Sequence, residues 1–158
     1  MRTPIKLAIA AAVVIPIAVI SWVLRARNIE KEEAFAMYRR FAESYHKDRI
    51  TDCRSISDGA SVKDLIDKRE ERHNQLASAG MQAFGLPFVT ATFQENSVTR
   101  NGGEMTFNAT MTVRHVIASG LTPKKDIPHT DYTHDVTLRK QGGGWVVVSF
   151  SETESEAK

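Results

Sequence analysis

The first pattern along the chain is an apolar run, Leu7–Leu24, that carries no charge, one hydroxyl (Ser21) and one proline (Pro16). At about 1.5 Å per residue such a run forms a helix of about 27 Å, close to the roughly 30 Å of a bilayer's hydrocarbon core. Arg2 and Lys6 precede it and Arg25 and Arg27 follow it. Residues 1–27 are therefore expected to form a single transmembrane anchor with basic flanks. A cleaved signal peptide would have a shorter apolar stretch, of about 7–15 residues, and Arg25 and Arg27 form a stop-transfer flank, so the segment is read as retained. Trp22 falls where an interfacial aromatic belongs. Counting cations (Arg25, Arg27, Lys31, Arg39, Arg40) favours a cytosolic body, but long domains translocate largely regardless of charge. We expect an extracytoplasmic (periplasmic) body behind a single-pass anchor.

After the run, the period becomes helical. Phe35, Tyr38, Phe41, Ala42 and Tyr45 recur at steps of three and four, predicting a helix from Asn28 to about Lys47, and nothing separates it from the anchor. A short turn of helix follows at about Asp48–Ser55, ending near Asp58-Gly59. Ser61 with Asp64 three positions on resembles a capping box opening a third helix to about Ala79, stopped by Gly80. Val62, Leu65, Ile66 and Leu76 mark its inner face, with Arg69 and His73 on the same stripe.

Beyond Gly85-Leu86-Pro87 the period falls to two. Phe88–Thr99 is rich in strand formers, and Asn101-Gly102-Gly103 signals a turn. Met105, Phe107, Ala109, Met111, Val113, His115 and Ile117 then alternate with Thr106, Asn108, Thr110, Thr112 and Arg114, the pattern of a half-buried antiparallel strand. A polar loop, Gly120–Pro128, leads to Tyr132, His134, Val136 and Leu138, which alternate with Asp131, Thr133, Asp135, Thr137 and Arg139. Gly142-Gly143-Gly144 turns the chain into a last strand, Trp145–Glu152, and residues 153–158 read as an acidic tail. Three helices followed by four antiparallel strands make an α+β domain over 28–152, helices packed on one face of the sheet.

Charge changes the picture only when it is divided. Of 21 Lys and Arg, four bracket the apolar run, leaving 17 against 19 acidic residues in the body. The body therefore offers no polybasic footprint, and no nucleic-acid partner is expected. Cys53 is the one cysteine, which excludes an intrachain disulfide and a multi-cysteine zinc site. It reads as a small packed residue.

The aromatic helix AFAMYRRFAESYHKD, the short second helix, the third helix ending at Gly80, the long bent strands and the closing VTLRKQGGGWVVVSFSE together resemble the nuclear transport factor 2-like (SnoaL-like) superfamily. The resemblance covers about Glu30–Glu152. It implies a cone-shaped body of three helices on a curved antiparallel sheet, a fold that hosts isomerases, dehydratases, cyclases and non-catalytic assembly modules alike. A membrane helix followed by such a domain is also similar in layout to the inner-membrane bridge component of type IV secretion systems, and the layout transfers no residues.

Enzymes of that superfamily work between the third helix and the concave sheet face. The resemblance therefore nominates Arg69, His73, His115, Tyr132 and His134 as candidate catalytic residues, a histidine serving as general base and an arginine or tyrosine steadying an oxyanion. Against this, polar side chains on an inward stripe are also what a domain uses to satisfy its own interior. His129, Asp131, His134 and Asp135 do not make a metal site, because alternation sends His134 to the face opposite Asp131 and Asp135. No cofactor signature is present, so neither a cofactor nor a metal is expected. The expected function is a membrane-anchored, non-catalytic binding or assembly module of an envelope or secretion complex. Its expected partners are the membrane through Leu7–Leu24 and a membrane-protein complex or a second copy. The alternative is a small-molecule isomerase- or dehydratase-like enzyme, or a ligand-binding pocket, using the cone interior.

Overall fold

The structure is a computed structural model. It describes the backbone of residues 3–79, 88–115 and 129–155, and the side chains of 19–79, 90–114 and 129–154. Three helices precede four strands: α1 (Thr3–His46), α2 (Ile50–Ser55), α3 (Ala60–Ser78), β1 (Phe88–Asn101), β2 (Glu104–His115), β3 (His129–Gln141) and β4 (Gly144–Ser155). The strands pair antiparallel in the order β1-β2-β3-β4. The expected α+β class, with three helices and four antiparallel strands, is what the chain adopts.

The chain divides into two units, Met1–Glu33 and Ala34–Lys158. The first is helical from Thr3 onward, and α1 is one unbroken element of 44 residues. Among the described residues no helix is long and apolar enough to cross a membrane. Most of the side chains of the run Leu7–Leu24 fall outside the described residues. Of those described, Val19, Ile20, Trp22 and Leu24 are all more than half exposed.

The second unit has one core. Ala34, Tyr38, Phe41, Ala42 and Tyr45 of α1 are buried, as are Val62 and Ile66 of α3 and the alternate β2 residues Met105, Phe107, Ala109, Met111 and Val113. Aromatic contacts carry α1 onto the sheet: Phe35 lies 5.4 Å from Phe107, Tyr38 lies 5.7 Å from Phe93, and Phe41 lies 5.1 Å from Phe150. Burying each such side chain contributes roughly 1.5–3 kcal/mol. The other sheet face is polar. Thr112 Oγ1 donates to Asp131 Oδ1 at 2.6 Å, Asn108 Nδ2 to Asp135 Oδ1 at 2.8 Å and Arg139 Nε to Glu104 Oε1 at 2.8 Å. Such cross-strand pairs hold register without a second apolar layer.

The β3–β4 hairpin contains the feature on which the interior turns. Gly142 and Gly143, at φ of 58° and 88°, make a two-residue turn that only residues tolerant of positive φ accept readily. From Gln141↔Gly144 the strands stay in step to Leu138↔Val147, and then Thr137 pairs with Ser149. Val148 is thus the extra residue of a β-bulge, which moves every later β4 side chain to the opposite face. Trp145 and Val147 are buried before it, and Phe150 after it.

The α2–α3 connection seats itself at this bulge. Asp58 donates its backbone N–H to the Val147 carbonyl at 2.8 Å, and Val147 returns one to Ile56 at 3.0 Å. Gly59 lies so close to the Val148 carbonyl that a Cβ there would collide with it. That approach also fixes where α3 begins. Gly59, extended at φ −170° and ψ 142°, is the N-cap residue, with no side-chain cap. The capping box expected at Ser61 and Asp64 does not form: Ser61 lies inside the first turn with Oγ toward the Val148 carbonyl at 3.4 Å, and Asp64 pairs with Lys68 at 2.7 Å.

One further expectation changes. The expected acidic tail is paired in part, because β4 continues to Ser155 and sets Glu154 opposite Tyr132. The helix stop at Gly80, the segment Gly85–Pro87 and the loop Gly120–Pro128 lie outside the described residues. Cys53 is fully buried, and burial raises its thiol to about 11.

Replacing Gly59 by alanine places a Cβ against a backbone carbonyl that cannot swing aside. The substitution is expected to cost about 1–3 kcal/mol, read as a lowered midpoint in urea unfolding at an unchanged slope. An unchanged midpoint would show that this approach does not constrain the bulge.

Candidate functional site

Alternation along β3 turns Tyr132, His134, Val136 and Leu138 toward the helices, and His134 is fully buried. A buried imidazole needs partners for both ring nitrogens. Tyr38 of α1 supplies one, its Oη lying 2.8 Å from His134 Nδ1. Glu152 of β4 supplies the other, its Oε2 lying 3.0 Å from His134 Nε2. With a neutral ring, Tyr38 O–H donates to Nδ1 and Nε2–H donates to the carboxylate. With a protonated ring, both nitrogens donate. Either state is satisfied.

His46, the last residue of α1, brings a second imidazole to the same carboxylate. Its Nε2 lies 2.7 Å from Glu152 Oε2, and its side chain is 8% exposed. The contact is off the line of a well-directed N–H bond, and it is an ion pair only when the imidazole is protonated. Tyr132 packs against His46 at 4.6 Å, and Phe150 against His134 at 4.8 Å between ring centres. Two imidazole nitrogens and a carboxylate oxygen therefore converge, each within 4.8 Å of the others.

The electrostatics follow from this enclosure. Burial pushes the Glu152 carboxyl upward, but the His134 hydrogen bond and the close approach of His46 outweigh it and carry the group down to about 2. Tyr38 is pushed well above the ordinary phenol value, first by burial and then by the Glu152 charge. Tyr132 is raised by burial and by the charges of Glu154 and Glu152. Both phenols hold their protons more tightly than in water.

The five residues nominated from the sequence divide. His134 is at the centre of the cluster and Tyr132 is at its edge. Arg69 instead donates from Nε to Asp48 Oδ1 at 2.7 Å and lies over the Tyr45 ring at 4.2 Å. Asp48 sits at φ 53° in the turn after α1, so Arg69 clamps that turn to α3. His73 is exposed and lines a groove of about 630 Å³ with Tyr45, Asp48, Lys68, Arg69 and Arg72. It does not join the cluster. The His115 side chain lies outside the described residues. Asp131 and Asp135 face away from His134 and take part in the outer ladder.

Sequence reasoning missed Tyr38, His46 and Glu152 as a set. Tyr38 was visible only as a member of an apolar stripe, and His46 only as a helix end. Glu152 is hidden by the bulge: counted outward from the Gly142-Gly143 turn without an extra residue, Ser151 would face His134. The signal available is the shift of the apolar positions from Trp145 and Val147 to Phe150, an odd step in a period of two.

No protein-family model and no curated protein matches the chain. Among solved structures, a chain titled Rd1NTF2_05, followed by five substitutions, is 14% identical, with a TM-score of 0.40, over 82% of this chain and 96% of that one. The architecture described above rests on this chain's own pairing and packing.

Because Glu152 is held below its ordinary value of 4.5, its contribution is complete above that value and is lost as pH falls toward about 2. Glu152→Gln is expected to lower stability at neutral pH by on the order of 2–3 kcal/mol and to flatten the acid limb. Urea unfolding across this range checks it, and parallel acid limbs in the two proteins would contradict it.

Proposed function

We propose that the protein is a membrane-anchored, non-catalytic binding or assembly module, its body a nuclear transport factor 2-like domain held at a bilayer by residues 1–27. The observation that carries this reading is the surface of α1 between residues 19 and 29. Val19, Ile20, Leu24 and Ile29 are more than half exposed there, and Trp22 is 71% exposed. Val19, Ile20, Trp22 and Leu24 belong to the uncharged run of 18 residues, which has cations at both ends, and Ile29 lies just beyond it. Exposed apolar surface on that scale is covered by lipid or by protein, and the length and flanks of the run favour lipid.

The interior supports the non-catalytic half of the reading. His134, the most deeply placed of the titratable candidates, is enclosed with both ring nitrogens bonded inside the chain. A general base needs access to the proton it removes. The polar outer sheet face, laddered by Thr106, Thr137, Asn108 and Asp135, suits a partner that is itself polar, whether a membrane-protein neighbour or a second copy.

The full chain is expected to stay with the membrane fraction through an alkaline carbonate wash. The double substitution Ile15→Arg with Val19→Arg places two charges near the centre of the run, each costing about 2.5–3.5 kcal/mol in insertion. It should release most of the protein to the supernatant. Release of the unaltered chain by the same wash would overturn the anchor.

A further inference from the structure

We propose that His46, His134 and Glu152 form a zinc site, with water as the fourth ligand and Tyr38 as the hydroxyl that orients His134. The proposal is independent of the membrane reading.

The donor set comes first. Two imidazole nitrogens and one carboxylate oxygen suit Zn2+, which takes mixed N and O ligands in a tetrahedron. Ca2+ and Mg2+ take oxygen ligands almost throughout. Among the described residues this is the group whose donor atoms gather so closely, within 4.8 Å of one another. They come from three elements: the end of α1, β3 and β4.

The distances are near those an ion needs. Zinc bonds of about 2.0–2.1 Å place neighbouring tetrahedral ligand atoms about 3.3 Å apart. Glu152 Oε2 lies 2.7 Å from His46 Nε2 and 3.0 Å from His134 Nε2. Opening both contacts by about half an ångström, and bringing the two imidazole nitrogens, which lie within 4.8 Å of each other, to the same spacing, makes room for the cation. The ion would take the place of the Nε2 proton of His134, so binding releases protons and strengthens with pH.

The surroundings match as well. A zinc-bound imidazole commonly donates its second N–H to an oxygen that fixes the ring. Tyr38 Oη stands 2.8 Å from His134 Nδ1 and can accept that bond. Tyr132, Phe150 and Tyr45 ring the imidazoles with low-dielectric surface. Glu152 remains 23% exposed, leaving a route for the ion and its water. In the metal-free chain His134 and Glu152 already hydrogen-bond each other, so zinc stabilises the core without being required to assemble it.

The test uses the full chain in detergent, purified without a histidine tag, stripped with a chelator and titrated with zinc chloride by calorimetry. One Zn2+ per chain is expected, with no comparable heat from magnesium chloride. Affinity should fall at least tenfold in His46→Gln and in Glu152→Gln. It should fall about tenfold in Tyr38→Phe, which loses only the orienting oxygen, and remain unchanged in His73→Ala. Absence of binding, or binding equal in His46→Gln and the unaltered chain, would overturn the site. Should the core variants fail to fold by circular dichroism, imidazole NMR of the unaltered chain decides. Zinc-induced shifts at His46 and His134 support the site, and shifts confined to His73, His115 or His129 overturn it.

Discussion

The contact between His134 and Glu152 is the constraint from which the interior follows. A histidine on the buried face of a central strand is a liability in an apolar core, costly unless both nitrogens are matched. Matching it requires a carboxylate from β4 and a hydroxyl from α1, and so ties the helix and two strands together at one point. The register of a single hairpin decides whether this happens. The extra residue, Val148, brings Glu152 rather than Ser151 opposite His134 and Phe150 rather than Ser149 into the core. The backbone bonds of Ile56 and Asp58 to Val147 and the close seating of Gly59 hold the bulge in place. A glycine between two helices thereby governs whether Glu152 enters the core.

That arrangement also shapes what the domain is suited to do. Tyr38, His134 and Glu152 are engaged with one another, and the helix-facing surface is filled by Tyr38, Phe41, Phe107 and Met111. Arg69, which invites a catalytic reading, is occupied with Asp48 in fastening the end of α1 to α3. Function is therefore sought at the surfaces: the apolar side of α1 between residues 19 and 29, and the polar outer face of the sheet. The convergence of His46, His134 and Glu152 is the exception, an interior cluster whose donor atoms lie within 4.8 Å of one another.

Much of the architecture could be read from the chain because it rests on periodicity. Phe35, Tyr38, Phe41 and Tyr45 recur as a helix must, and Met105 to Val113 alternate as a half-buried strand must. Both patterns report burial directly. The start of α3 could not be read, because Ser61 and Asp64 satisfy a local capping rule that is overridden by the packing of Gly59 on β4. The site was legible only in its centre. His134 and Tyr132 sit on a regular strand face, whereas Tyr38 looks like core, His46 like a helix end, and Glu152 like the start of a solvated tail. Their meeting depends on one inserted residue in a distant hairpin strand, and local pattern does not encode a register shift of one.

The most direct test of this account is a double-mutant cycle between His134→Gln and Glu152→Gln, measured by reversible urea unfolding near neutral pH. Partners in a buried, charge-assisted hydrogen bond should be coupled by about 1–3 kcal/mol, the double variant losing clearly less stability than the two single losses together. Additivity within about 0.5 kcal/mol would mean that the two side chains do not meet and that the bulge does not set the interior.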